Sequence, residues 1–265
     1  MTNTSSLPDV QSETSIRGSR IDKVGVTGIR HPLCFRSGEN AQGTVGNWQL
    51  HVSLPGDQRG THMSRFMEIL SDLEEVQTFE SLGQTCDLIC NRLESEDAWL
   101  VVDFPMFITK SAPVTGAKAK LDIDVEVSVR RGTKNVTTLT IKVPATSLCP
   151  CSQKISDYGA HNQRCELTAS VRFAQGETVS IEELFSMVEQ AASAQVFPII
   201  KREDEKRVTE QAWDNPKFVE DSVRDLANTL KTEPRIVWFR CSSENFESIH
   251  NHNAHAEIEF DKALG

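Results

Sequence analysis

The sequence predicts an α+β fold in which an antiparallel sheet carries two helices on one face, and in which the plan ββααββ occurs twice. Three observations predict it. Turn-bounded segments of two-residue apolar alternation recur along the chain. Pairs of segments with 3.6-residue apolar periodicity lie between them. The same order of elements returns after Arg131-Gly132-Thr133. Length agrees, because 265 residues accommodate two such units, placed here at 21–131 and 132–265. The polar start MTNTSSLPDVQSETS carries few apolar residues, so residues 1–20 are expected to form a disordered leader.

The elements follow in order. A first strand is expected around HPLCFRS, and a second at GNWQLHVSLPG. Met63, Phe66, Met67, Leu70 and Leu73 form one helical stripe, and Leu82, Cys86, Ile89 and Leu93 form the next. AWLVVDFPMFITKSAP and AKLDIDVEVSVRRG read as strands; in the latter Leu121, Ile123, Val125 and Val127 share one face. NVTTLTIKVPA and RCELTASVRF open the second copy. SIEELFSMVEQAASAQV begins with Ser180 and Glu183 in a capping-box relation and carries Ile181, Leu184, Phe185 and Val188 on one face. NPKFVEDSVRDLANTL offers Asn215 as N-cap and Pro216 at the first helical position. IVWFRCSSENF and NAHAEIEF close the chain as strands.

Composition excludes several classes of function. A formal charge of −10 with no long basic block argues against duplex nucleic acid as a partner. No apolar run approaches the ~18 residues of a membrane span, and no signal-peptide pattern is present. Seven cysteines form no disulfide framework, which favours a reducing cytoplasm with cysteines buried, metal-bound or catalytic.

The stretch SLCPCSQKISDYGAHNQR, residues 147–164, holds Cys149, Cys151 and His161 among turn formers. Cys-x-Cys without a second pair does not make a closed zinc site, since structural sites use four ligands. An open metal site, a thiolate nucleophile and an ordinary strand-to-strand loop all fit the spacing. The charge run KREDEKRVTEQAWDNP reads as a solvated loop, or as the source of a metal carboxylate from Glu203, Asp204 or Glu205 with bases for a phosphate. In the tail ENFESIHNHNAH, Glu247 and His250 could act as an acid/base pair. His250, His252 and His255 could equally form an adventitious metal patch; in an extended chain the first two would share a face and His255 would point away.

Together SLCPCSQKISDYGAHNQR, HPLCFRSG, RGTHMSRF, DEKRVTEQAWDNPKFVED and ENFESIHNHNAHAEIEF resemble type IB GTP cyclohydrolase I, a bacterial folate-pathway family, from about Ile21 onward. The resemblance implies the tunnelling fold, with two ββααββ units per chain and homotetramers whose sites lie between subunits. It implies conversion of GTP and water to 7,8-dihydroneopterin triphosphate and formate, begun by attack of metal-activated water on purine C8. The implied metal ligands are Cys149, His161 and Glu205, for zinc, manganese or iron. Glu220 would anchor the guanine, and Glu247 with His250 would complete the catalytic set. Lys154, Arg164, Lys201 and Arg202, with neighbouring chains, would hold the triphosphate. Cys151 shares the motif with Cys149 and competes for its role. One departure is Glu203, which stands where the family's RPDEK pattern has proline and is expected to loosen the local backbone.

Two other readings compete. A tunnelling-fold nitrile reductase would use Cys149 as a nucleophile with NADPH and no metal. A metal-stabilised, non-catalytic purine-binding oligomer would need no nucleophile at all. Neither accounts for the joint presence of the cysteines, His161, Glu205 and Glu220.

Overall fold

The computed structural model describes residues 9–264. The first eight residues of the expected leader therefore lie outside the described residues. Within the remainder of that stretch, Val10–Ser12 form a short 3-10 turn. The Ser15 and Arg59 N–H groups donate to the Asp57 and Glu13 carbonyls, respectively.

Chain order is β1 (Ile21–Arg36), β2 (Ala41–Leu54), α1 (Met63–Ser71), α2 (Phe79–Arg92), β3 (Ala98–Ser111) and β4 (Lys118–Arg131). Then come β5 (Val136–Leu148), α3 (Pro150–Ile155), β6 (Asn162–Phe173), α4 (Ile181–Glu189) and β7 (Ala194–Gln195). α5 (Arg202–Asp214), α6 (Val219–Thr232), β8 (Ile236–Asn245) and β9 (Ala254–Asp261) complete the chain. The architecture is α+β with a large antiparallel sheet, hydrogen-bonded in the order β1-β2-β3-β4-β5-β6-β8-β9 with β7 beside β5. Two compact units emerge, and their division does not follow one cut in the chain. The first comprises residues up to Phe35, Gly43–Asp103 and Ser128–Thr137; the second comprises Arg36–Gln42, Phe104–Val127 and everything from Thr138.

In the first unit Trp48, Leu50, Phe66, Ile69, Leu70, Leu82, Cys86 and Ile89 are buried together, so the two expected helical stripes do face a core. Met63 and Met67 are the exceptions and stay exposed. Thr78 and Ser81 cap α2 reciprocally. In the second unit α4 and α6 bury Ile181, Leu184, Val188, Val223, Leu226 and Leu230, and the strands bury Leu139, Ile141, Leu167, Val171 and Phe239. Each such side chain contributes about 1.5–3 kcal/mol of transfer free energy. Ser180 and Glu183 form the expected capping box on α4.

Three local expectations fail, each for a physical reason. Residues 150–155 are helical rather than loop, with Pro150 at the first helical position. The charge run from Arg202 to Asp214 is helix α5 rather than a solvated loop. Two short apolar residues a turn apart, Val208 and Ala212, give it a seam to pack. Glu203 sits in its first turn, where an acid favours the helix dipole instead of loosening the backbone. Helix α6, finally, starts at Val219, with Asp221 accepting from the Phe218 N–H at 3.0 Å, and not at Pro216. The Lys217 backbone is already engaged with the end of β5, so the chain cannot turn into a helix there. Asn215 instead follows α5 and donates to the Ala192 and Ser193 carbonyls.

Candidate active site

The expected site residues all belong to the second unit. Strands β5 and β6 pair antiparallel, and their last partners are Ser147 with Gln163 and Leu148 with Asn162. Continuing that register by one residue sets Cys149 opposite His161, and the Cys149 N–H donates to the His161 carbonyl at 3.1 Å. The intervening turn is fastened internally: the Ser152 hydroxyl donates to the Cys149 carbonyl and accepts from the His161 N–H, both at 3.1 Å. Two residues twelve apart in sequence thus become cross-strand neighbours at the end of a hairpin.

Both side chains are half-buried. His161 Nδ1 lies 2.9 Å from the Gln163 Oε1, so one ring nitrogen is engaged by Gln163 and Nε2 is the ring nitrogen left for a ligand. The seven cysteines separate clearly. Burial pushes the thiols of Cys86, Cys165 and Cys241 up to about 12, which leaves them inert at neutral pH. Cys149 extends β5 beside His161, whereas Cys151 is exposed on α3.

Helix α5 lies against the same turn. Leu148, Ala160, Ala194, Val208 and Ala212 form one apolar cluster, and the Gln153 Nε2 donates to the Trp213 carbonyl at 2.6 Å. Leu148 and Ala160 are the chain neighbours of Cys149 and His161, and Glu205 precedes Val208 by one turn, about 4.5 Å along the axis. Glu205 is exposed, and among the described residues no three His, Cys, Asp or Glu side chains meet as a metal-holding group. Cys149 and His161 are therefore brought together, and Glu205 is carried toward them without joining them. Its neighbour Asp204 has a different role. It is fully buried and accepts from the Val114 N–H, the Thr115 N–H, the Thr115 hydroxyl and the Lys201 N–H at 2.7–2.9 Å. Burial pushes its carboxyl up, but these four donors outweigh that and hold it well below the usual carboxylate range. Asp204 is a structural clamp on the start of α5, which removes it from the three acids the charge run offers.

Two further segments arrive at this end of the unit. Strand β8 pairs with β6 up to Asn245 opposite Cys165, and the Phe246 N–H then donates to the Arg164 carbonyl at 3.0 Å. Glu247, half-buried, comes next, and His250 follows in the exposed loop with its ring stacked on His252 at 5.0 Å. His255 stands apart on β9, hydrogen-bonded to Glu244 at 2.9 Å. The Lys217 N–H donates to the Leu148 carbonyl at 3.0 Å, which fixes the entry to α6 and places exposed Glu220 in its first turn. Among the expected phosphate ligands, Lys154, Arg164 and Arg202 are exposed and form no ion pair among the described residues. Lys201 and Arg202 begin α5, about 17 Å along its axis from the Trp213 contact that Gln153 makes beside Lys154. These four bases do not form one cluster on this chain.

Beneath the site runs a buried polar network that periodicity alone did not single out. The Asn245 Nδ2 donates to the Ser147 hydroxyl, the Ser147 hydroxyl donates to the Lys217 carbonyl, and the Ser243 hydroxyl donates to the Asn245 Oδ1. The Ser193 hydroxyl accepts from the Leu148 N–H. Ser147, Gln163, Ser243 and Asn245 occupy the inward phase of their strands, where apolar residues are the rule, and that mismatch is the sequence signal that marks them.

The sequence model of the family described as type I GTP cyclohydrolase folE2 matches residues 7–256. A GTP cyclohydrolase FolE2 of Magnetococcus marinus is 51% identical over 255 residues, covering 96% of each chain. A FolE2 of Paraburkholderia xenovorans is 48% identical over 266 residues, covering 98% of this chain and 97% of the relative. Among solved structures, uricase from Arthrobacter globiformis superposes with a TM-score of 0.51 at 9% identity, over 91% of this chain and 93% of that one. Urate oxidase from Bacillus subtilis gives 0.52 at 8% identity, over 92% and 100%. At such identities the latter two share the fold and no more.

Proposed function

This chain belongs to the FolE2 family of type I GTP cyclohydrolases, and from that premise we propose that it converts GTP and water to 7,8-dihydroneopterin triphosphate and formate at the end of the second unit. GTP cyclohydrolase activity in folate biosynthesis is the function of the protein. Family membership settles the choice in favour of GTP over nitrile reduction and over a non-catalytic scaffold. The observation that carries the assignment of the site is the hairpin register, which sets Cys149 opposite His161 with the main chains bonded at 3.1 Å.

Cys149 and His161 would offer a metal one sulfur and one imidazole nitrogen, a donor set suited to zinc, manganese or ferrous iron, with Gln163 holding the ring as metal-bound histidines are usually held. Glu205 is the proposed third ligand, reaching the pair from α5 of the same chain or of another copy. A divalent cation held there supplies Lewis acidity toward the hydration of purine C8. Glu220 accepts the guanine N1–H and 2-amino donors, which orients the ring by its pyrimidine edge. His250 gives a proton to N9 as it leaves C8, with Glu247 at the base of the same loop holding its charge. Lys154, Arg164, Lys201 and Arg202 hold the triphosphate together with residues of neighbouring copies. Their separation on one chain fits a homotetramer with sites shared between subunits. No helix among the described residues is long and apolar enough to cross a membrane, and the uncombined cysteines fit the proposed cytoplasmic location.

The test is formate and fluorescent pterin release from GTP by chelator-treated protein, alone and with each metal restored. Turnover is expected only with metal present. Undiminished turnover in protein shown to be metal-free would overturn the ligand assignment, while family membership would stand.

A further inference from the structure

The loop 246–253, FESIHNHN, joins β8 to β9 and is fastened at its two ends. The Phe246 N–H donates to the Arg164 carbonyl at 3.0 Å, and Ala254 pairs with Asn245 as β9 begins. Between those points, Glu247 to Asn253 make no hydrogen bond or ion pair with any of the described residues. No apolar anchor replaces them, since Ile249, the loop's aliphatic side chain, is 65% exposed. One contact orders the interior of the loop. The rings of His250 and His252 stack with centroids 5.0 Å apart and planes inclined by 18°.

The sequence allows this contact because residues two apart in an extended chain lie on the same side. His255, one residue out of that phase, stands apart on β9 with Glu244. The manner of the contact matters for the chemistry. A hydrogen-bonded partner holds an imidazole by consuming one ring nitrogen, as Gln163 does with His161. A stacked partner holds it by the face and consumes neither. Both nitrogens of His250 therefore stay free of the described residues, one to meet a substrate atom and the other to exchange its proton with solvent.

We propose that His252 is a positioning residue, whose ring holds the His250 imidazole in the orientation from which it protonates the departing N9. The proposal deepens the functional reading above and rests on its assignment of His250 as the proton donor. His252 acts through the face of its ring, exchanges no proton with the substrate and touches none of the reacting atoms. Any flat ring in its place should therefore serve, and a side chain without one should not.

The test measures kcat and KM for formate release from GTP, together with Tm, on the full-length protein with metal restored. An aromatic stack maintains a preference of about two- to twelve-fold, so His252→Ala should lower kcat by about that factor. KM and Tm should hold, because both rings are exposed and neither binds the guanine edge or the triphosphate. His252→Phe, which restores a flat ring without nitrogens, should return kcat to within about two-fold of the wild type. In a His250→Ala background, where nothing is left to position, His252→Ala should cost nothing further. A wild-type kcat in His252→Ala, no recovery in His252→Phe, or an undiminished extra loss in the His250→Ala background would each overturn the proposal. A wild-type kcat in His250→Ala alone would instead overturn the assignment of His250 as the proton donor, and the proposal with it.

Discussion

Asn245 is the residue whose replacement tests most directly whether a buried network holds the catalytic segments together. Asn245 is 3% exposed, and its neighbours Ser243 and Ser147 are 0% and 1% exposed. Asn245→Ala removes one donor to Ser147 and one acceptor for Ser243, both at 3.1 Å. Ser147 keeps its bond to the Lys217 carbonyl, so losing the incoming donor should cost only about 0.5–1.5 kcal/mol. Ser243 is left with a buried, unpaired hydroxyl, which costs about 1–3 kcal/mol. The sum, about 1.5–4.5 kcal/mol, corresponds to a fall in Tm of about 3–18 °C for a domain of this size. Catalysis should fall further than stability, because Phe246 and Glu247 follow Asn245 directly and Ser147 precedes the hairpin end that carries Cys149. The assay pairs differential scanning calorimetry with kcat/KM for formate release well below the Tm. The double variant Ser243→Ala/Asn245→Ala, in which no hydroxyl is stranded, should be more stable than the sum of the single changes by about 0.5–3 kcal/mol. An unchanged Tm for Asn245→Ala, or strict additivity in the double variant, would refute the network as a support for the site.

Gln163→Leu removes the acceptor that fixes His161, and metal retention measured by competition with a chromogenic chelator should weaken about 10–100-fold; equal retention would separate Gln163 from the ligand set. Glu220→Ala should lose about 1.5–3 kcal/mol of GTP affinity by calorimetry, since a charged acceptor is withdrawn from two donors, and unchanged affinity would place the guanine elsewhere. Cys149→Ala should abolish formate release with circular dichroism unaltered, while Cys151→Ala should retain turnover; the reverse pattern would exchange their roles. Asp204 gives a pH prediction with a definite sign. Its folded pKa is depressed, so its stabilisation is complete above the unfolded value of about 3.9 and disappears as pH falls toward the folded one. The wild type should therefore lose Tm more steeply than Asp204→Asn below about pH 4, and parallel Tm profiles would contradict that.

Much of the fold was legible because most elements carry their own period. Ile123, Val125 and Val127 alternate with Asp122, Asp124 and Glu126, and that pattern has only one stable placement on a half-buried strand. The stripe of α4 and its capping box were equally explicit. Helix α5 was not, since thirteen residues with Val208 and Ala212 as the packed seam look like a solvated loop until Asp204 is seen to clamp the first turn. The start of α6 was misplaced because Asn-Pro is a sound helix signal locally, and only a tertiary demand on the Lys217 backbone overrides it. In the site, the residue types were readable and their geometry was not. Nothing in the spacing of Cys149 and His161 says that they face each other; the pairing of the strands on either side decides it.

That dependence has a consequence for how the site tolerates change. The segments bearing Cys149 and His161, Glu220, and Glu247 with His250 are joined by the bonds from Cys149 N–H to the His161 carbonyl, from Lys217 N–H to the Leu148 carbonyl and from Phe246 N–H to the Arg164 carbonyl. All three run between main-chain groups, which no side-chain substitution removes unless it introduces proline. Replacing a reacting side chain should thus alter the chemistry while leaving the frame in place. The polar residues packed beneath, Asn245, Ser147 and Ser193, carry no reacting atom, yet their loss should move whole segments. Side chains that do chemistry and side chains that hold position are therefore separable here: the first set should lower kcat at constant Tm, and the second should lower both together.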